Sequence, residues 1–308
     1  MNAKRMLVMF LLIIFLGGSL FVTGCGGDDD AVVIGSKEFT SQLVLSQISI
    51  LALEHHGIPT VDETGLGGTV VVREAQLAGD VDHYWEYTGT GLITHLGYDE
   101  VITDPEECYR VVKEDDLELN SLVWLDYSPH NDTYIILMRR ADAEALGIET
   151  LSDLAAAINE GVEAPAPGQW VFGSNHEYST RDDGYPGLQE LYGFEFEDVS
   201  VMDTGITYTA LRDEEVSAGL GFASDGRIKA FDLVILEDDL QFHPVYNAVP
   251  VIREDTLEQY PEIADILNPI SHAMTDEKMQ ELCAEVDIEE RLPVEVAEEW
   301  LREEGFID

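Results

Sequence analysis

The hydrophobic positions along this chain change period repeatedly, and each change marks an element. Val32, Val33 and Ile34 form a short β-branched apolar run, as a buried strand requires. From Ser41 to His56 the apolar residues recur at helical spacing until Gly57, a residue suited to the left-handed conformation that ends helices. Strand then helix is therefore the opening unit. The same alternation predicts a strand over 60–64, a glycine-rich turn from Gly65 to Gly68, a helix over 70–78 and a strand over 81–85. Further strands are predicted at Val123, 134–138, 170–172, 199–202, 217–222 and 233–236. Ser152 fits a helix N-cap, and Asp183-Gly184 precedes a helical run over 188–192. From Asp255 onward the pattern is almost wholly helical, with Pro261, Pro269 and Pro293 dividing it into separate helices. Such alternation predicts an α/β protein with mostly parallel sheets.

The first segment stands apart from this pattern. Lys4 and Arg5 precede an apolar run from Met6 to Phe21 and then Val22-Thr23-Gly24-Cys25, which reads as an export signal over 1–24. Small residues directly before a cysteine resemble the lipobox of bacterial lipoproteins, which implies a lipid on Cys25. An uncleaved signal anchor is the alternative. Either arrangement leaves the remainder outside the cytoplasmic membrane, with 25–30 as a polar, flexible linker. About 280 residues follow, enough for two modest domains with their own cores. No later apolar stretch is long enough to span a bilayer. Cys108 and Cys283 are equally compatible with a disulfide and with two free buried thiols.

Charge narrows the classes of partner. The net charge is -46, from 62 acidic and 16 basic residues, while 45% hydrophobic residues argue against disorder. Acidic side chains must then cover a folded surface, which repels nucleic acid and anionic membrane and argues against either as a partner of that surface. The composition resembles the acidic, lysine-poor surfaces of proteins from hypersaline habitats, where salt screens self-repulsion. With five lysines in the whole chain, Lys37 is conspicuous.

Catalytic patterns are poor. The glycines from Gly65 to Gly68 lack the spacing of a dinucleotide or triphosphate loop, and His55-His56 point to different faces of a helix. No His/Cys/Asp cluster has metal-site spacing, so no metal and no cofactor are expected. Ser36, Ser174 and Ser224 lack a nucleophile elbow. The strongest chemical signal is Asp82-His83-Tyr84-Trp85-Glu86-Tyr87-Thr88-Gly89-Thr90, where aromatic rings stand beside small hydroxyls and a glycine. A fully methylated ammonium has no N–H to donate, so a site holds it by wrapping its methyl groups in apolar surface and facing its charge with π clouds. A carboxylate at the other end of such a ligand needs charge-assisted donors, for which Lys37 is a candidate. Tyr84 and Trp85 alternate across a strand and are assigned to core packing.

Polar and aromatic groups also gather at other predicted strand ends, where open α/β sheets bind ligands. Gly35-Ser36-Lys37-x-Phe39-Thr40, Glu86-Tyr87-Thr88-Gly89-Thr90 and Ser224-Asp225-Gly226-Arg227-Ile228, in this order, resemble the substrate-binding proteins of osmoprotectant ABC importers, the glycine betaine, choline and carnitine family. The similarity runs from about Val32 to Ile307. It implies a type II periplasmic-binding-protein fold, with two α/β lobes joined by two crossing segments and a ligand cleft between them. On this chain the lobes are expected at 31–130 (lobe I, first part), 131–231 (lobe II) and 232–308 (lobe I, second part). The resemblance places an aromatic cage on Tyr87, Tyr134, Phe222 and Tyr246, with Phe222 standing where familiar members have tyrosine. It places carboxylate-binding groups on Lys37, Thr90 and Arg181, with Asp132 beside the cage.

With the lipobox, it implies a non-enzymatic, lipid-anchored monomer on the extracellular face of the membrane, which binds glycine betaine or a related quaternary-ammonium osmolyte and delivers it to an ABC permease and its ATPase. A choline- or carnitine-preferring receptor is the alternative within the family. An enzyme or sensor on the same fold is the alternative outside it.

Overall fold

The computed structural model describes residues 31–99 and 101–308. The chain builds two five-stranded sheets, each the floor of one lobe. The first contains β1 (Val32–Lys37), β2 (Thr60–Gly67), β3 (His83–Tyr87), β4 (Leu122–Trp124) and β10 (Ala248–Arg253), in the order β2-β1-β3-β10-β4. The second contains β5 (Tyr134–Arg139), β6 (Val171–Ser174), β7 (Asp198–Val201), β8 (Ala218–Phe222) and β9 (Leu233–Leu236), in the order β7-β6-β8-β5-β9. Export signal, linker and Cys25 lie outside the described residues.

The sheets are mixed and not mostly parallel. β10 runs antiparallel to β3 and β4, and β5 runs antiparallel to β8 and β9. Each of these two strands is the first its sheet receives after the chain has crossed from the other lobe. β10 enters against the parallel strands β1, β2 and β3 that precede it, and the parallel set β6, β7 and β8 forms after β5 and runs against it. β10 itself was not predicted.

The first core packs helix Thr40–His55 (Val44, Leu45, Ile48, Leu53) against Trp300 and Leu301 of helix Pro293–Glu303. The second gathers Ile136, Phe172, Tyr178, Leu188 and Leu220. Tyr84 and Trp85 are both fully buried, in line with core packing. Cys108 and Cys283 are free thiols in separate clusters, one beside Trp124 and the other beside Met279.

Several local expectations need correction. Gly65 and Gly67 belong to β2, where their positive φ angles (75° and 145°) accommodate an irregularity opposite Gly35–Lys37. The helix over Leu151–Asn159 is capped by Thr150 and not by Ser152. Thr150 accepts from the Asp153 amide and Asp153 accepts from the Thr150 amide, both at 3.0 Å, a reciprocal box that Ser152 lacks. Pro269 lies inside helix Glu262–Ala273, where burial of Ile266, Leu267 and Ile270 on the core outweighs one lost hydrogen bond. The return to lobe I also comes later than 232. β9 hydrogen-bonds to β5, so the second sheet runs to Leu236.

One polar set inside the first lobe has a pH consequence. Trp85 Nε1 donates to Ser49 Oγ at 2.8 Å, and Ser49 Oγ meets His83 Nε2 at 2.9 Å, which leaves Nδ1 to donate to the Val251 carbonyl at 3.2 Å. His83 is thus held neutral, and burial drives its pKa down to about 4. The unfolded chain binds the proton more readily, so this stability is present above about pH 6.5 and is lost as pH falls through about 4. The full difference is worth about 3 kcal/mol. Denaturant midpoints from pH 7 to 4 should fall less for His83→Gln than for the parent chain; an unchanged pH slope would remove His83 as the source.

Candidate functional site

The eight residues expected to contact ligand all line one cavity of about 580 Å³. It opens between the edges of the two sheets. Tyr87 ends β3, Phe222 ends β8, Tyr134 begins β5 and Tyr246 precedes β10. Antiparallel pairing of Tyr134 with Phe222 brings the start of one strand to the end of another, so their rings share an edge. The position of Tyr246 follows from the crossing segments, whose bridge pairs Asn131 with Asn247. Asp132 N–H donates to the Tyr246 carbonyl at 3.0 Å, and Tyr246 N–H donates to Asn131 Oδ1 at 2.7 Å. Gly89 is required beneath them, since a Cβ there would lie 2.7 Å from the Val245 carbonyl oxygen and 2.8 Å from the Tyr246 ring.

The rings form a series across both lobes. Tyr134 stands 5.1 Å from Tyr246 at 79° and 5.3 Å from Phe222 at 40°. Phe39 stacks on Phe222 at 5.0 Å and faces Tyr87 at 6.3 Å. Phe39 appeared in the sequence motif without a role, yet it joins Tyr87 of one lobe to Phe222 of the other. Its aromatic character two residues after Lys37, at a helix start, was the available signal.

Asp132 is the polar centre of the wall. Its side chain is fully buried and accepts from Ser41 Oγ at 2.9 Å, Tyr87 Oη at 3.2 Å and Ser224 Oγ at 2.7 Å. Ser41 and Ser224 belong to opposite lobes. The nearest basic side chain recorded for Asp132 among the described residues is His130, with Nε2 4.0 Å away. Sequence reasoning named neither Ser41 nor Ser224 as a partner of Asp132.

The basic residues are already engaged. Lys37 Nζ lies 2.5 Å from Glu86 Oε1 and 5.1 Å from the centre of the Tyr87 ring. Glu86 also accepts from Tyr84 Oη at 2.9 Å and from the Tyr87 amide at 2.8 Å, and it meets His95 Nε2 at 2.8 Å. Burial alone would raise its pKa, but Lys37 and His95 hold the carboxyl well below the usual range. Arg181 donates from Nε to Asp183 at 2.7 Å, from a terminal nitrogen to the other Asp183 oxygen, and to Glu177 at 2.9 Å. It is not a surface ion pair, for its side chain is only 9% exposed. Tyr246 Oη also donates to Asp183, at 2.9 Å. Thr90 is buried at the cavity wall.

Glu177 extends these contacts across the cleft. Its second oxygen accepts from the Thr69 amide at 3.3 Å, at the start of helix Thr69–Ala78 in the first lobe. Glu86 thus engages Lys37, Glu177 and Asp183 engage Arg181, and Asp132, Glu38 and Asp203 add further carboxylates to the lining. Negative groups outnumber positive ones, so the cavity favours a cationic group.

Comparison with known proteins places this geometry. Residues 30–303 match the family model described as the substrate binding domain of ABC-type glycine betaine transport systems. The chain is 40% identical over 291 residues to a glycine-betaine-binding protein of Pseudomonas aeruginosa, covering 94% of this chain and 92% of that one. It is 30% identical to a carnitine transport binding protein of Listeria monocytogenes, covering 99% of each. A solved structure described as a glycine betaine/carnitine/choline ABC transporter superposes with a TM-score of 0.72 at 29% identity, over 90% of this chain and 100% of that one. The fold is accordingly the type II binding-protein fold, and the family is one of transport receptors and not of enzymes. The chain belongs to the substrate-binding proteins of osmolyte ABC transporters.

Proposed function

We propose that this receptor captures a quaternary-ammonium solute in a cage of Tyr87, Tyr134, Phe222 and Tyr246 and presents it to an ABC permease and its ATPase. The observation that supports this most is a row of rings from both lobes around one cavity whose buried carboxylate, Asp132, accepts from three hydroxyls among the described residues. A methylated ammonium placed there meets π faces and a negative charge together. Rings at ~0.5 to 2 kcal/mol each give several kcal/mol of headgroup binding, and micromolar capture corresponds to about 8 kcal/mol in all.

For glycine betaine, the carboxylate end is assigned to Lys37, Thr90 and Arg181. Choline is the second reading, favoured by the fact that Lys37 and Arg181 already bind Glu86, Asp183 and Glu177. An incoming carboxylate has to compete with those groups, whereas choline does not. The two lobes are proposed to close about the crossing segments, with the receptor held as a lipid-anchored monomer outside the cell. Its acidic surface suits a saline habitat.

Calorimetric titration in high salt separates the readings. Tyr87→Ala should weaken every quaternary ammonium by ~0.5 to 2 kcal/mol. Arg181→Ala should cost roughly 2 to 5 kcal/mol for glycine betaine and leave choline little changed, with folding checked by circular dichroism. Betaine affinity insensitive to Arg181→Ala rules out the carboxylate clamp, and no binding of any quaternary ammonium rules out the cage. Mass spectrometry of the membrane-extracted protein should find a lipid on Cys25; a chain that retains Met1 contradicts the anchor.

A further inference from the structure

The turn from Ala223 to Arg227, between β8 and the short helix Arg227–Ala230, touches both the ring cluster and the opposite lobe. On the ligand side, Phe222 stacks on Phe39 and Ser224 Oγ donates to Asp132 at 2.7 Å. On the other side the turn rests on helix Asp276–Asp287 of the first lobe. Gln280 Nε2 donates to the Ala223 carbonyl at 2.9 Å. Gly226 seats on Ala284 so closely that a Cβ at 226 would lie 2.7 Å from the Ala284 Cβ and 3.0 Å from its Cα. Arg227 reaches Asp287 at 3.3 Å, and Asp287 accepts from Thr40 Oγ1 at 2.7 Å. Thr40 lies between Phe39 and Ser41, so this chain of contacts returns to the cage.

The cluster is stronger within its lobe than between lobes. Asp225 grips the same guanidinium through Nε at 2.9 Å and a terminal nitrogen at 2.5 Å, and Arg227 lies 4.5 Å over the Tyr208 ring. Tyr208 Oη in turn accepts from the Phe222 amide at 2.8 Å. If the lobes part, Arg227 stays paired with Asp225 and only the longer ion contact to Asp287 is lost. The guanidinium is never left unpaired, so separation avoids the large cost of an isolated buried charge.

We propose that this turn is a closure latch: Gly226 on Ala284 and Arg227 on Asp287 hold the lobes together and set ligand affinity without a ligand contact of their own. Arg227 and Asp287 are then positioning residues. A receptor that binds tightly only when closed has an apparent Kd inversely proportional to the closed fraction. Loss of the latch should therefore weaken all ligands by one common factor. The choice of probes rests on the quaternary-ammonium reading, but the latch itself does not.

The test measures choline and glycine betaine binding by calorimetry, and the radius of gyration by X-ray scattering, for the parent, Asp287→Asn and Gly226→Leu. Both variants should weaken both ligands by the same factor, about tenfold. Gly226→Leu should also remain wider than the parent at saturating ligand. Asp287→Asn, which keeps the side-chain shape, covers the case in which Gly226→Leu fails to fold. Parent-like affinities, or a loss confined to one ligand, overturn the latch. If the parent binds neither ligand, the quaternary-ammonium reading fails. The latch is then decided on the ligand-free chains: a wider Gly226→Leu molecule supports it and an identical scattering profile overturns it.

Discussion

The paired crossing of 128–132 with 244–248 is the constraint on which the cleft depends. The two strands of chain between the lobes are bonded to each other through the Asn131–Asn247 bridge and the Asp132–Tyr246 backbone bond. Asn247 donates to the Ser128 carbonyl at 3.0 Å, and the Asn247 carbonyl accepts from the Thr88 amide at 3.0 Å. This double connection fixes Asp132 and Tyr246 relative to Tyr87. It also reverses chain direction at each entry, which is why β5 and β10 run antiparallel to their neighbours. Gly89 beneath the crossing is a steric consequence of the same packing.

Around that frame, charge is arranged in closed sets. Lys37 with Glu86, Arg73 with Asp116, Arg181 with Asp183 and Glu177, and Arg227 with Asp225 each bury a cation against a carboxylate. Such pairs add little net stability, because desolvation consumes most of the attraction, but breaking one leaves a charge uncompensated. They therefore fix geometry. Among the described residues, buried Asp132 at the cavity differs from these pairs, since hydroxyls and not a guanidinium donate to it. In a chain with this excess of acid, the arrangement leaves carboxylates in the majority at the cavity, while Lys37 and Arg181 lie over the Tyr87 and Tyr134 rings.

The lobes meet through short polar contacts on both sides of the cavity: Glu177 on the Thr69 amide at one rim, Gln280 and Arg227 at the other. Ser41 and Ser224 converge on Asp132 from opposite lobes, so the same carboxylate joins the cavity wall and the interlobe contact.

Local periodicity determined the alternation of strands and helices, and the ordered motifs around Lys37, Tyr87 and Ser224 determined the family. Tyr84 and Trp85 were legible as core because side chains alternate along a strand. Other features depended on neighbours distant in sequence. The irregularity at Gly65 and Gly67 is set by pairing with Gly35–Lys37, and Pro269 survives inside a helix because the core holds both flanks, whereas the Thr150–Asp153 capping box is local. β10 and the direction of β5 followed from the double crossing, which no local pattern records. The engagement of Lys37 by Glu86 and of Arg181 by Asp183, and the place of Phe39 between two lobes, were likewise decided by the tertiary structure. A sequence specifies which side chains are polar, aromatic or apolar along one strand or helix. Which charges meet, and which rings face one cavity, depends on how separate elements are brought together by packing.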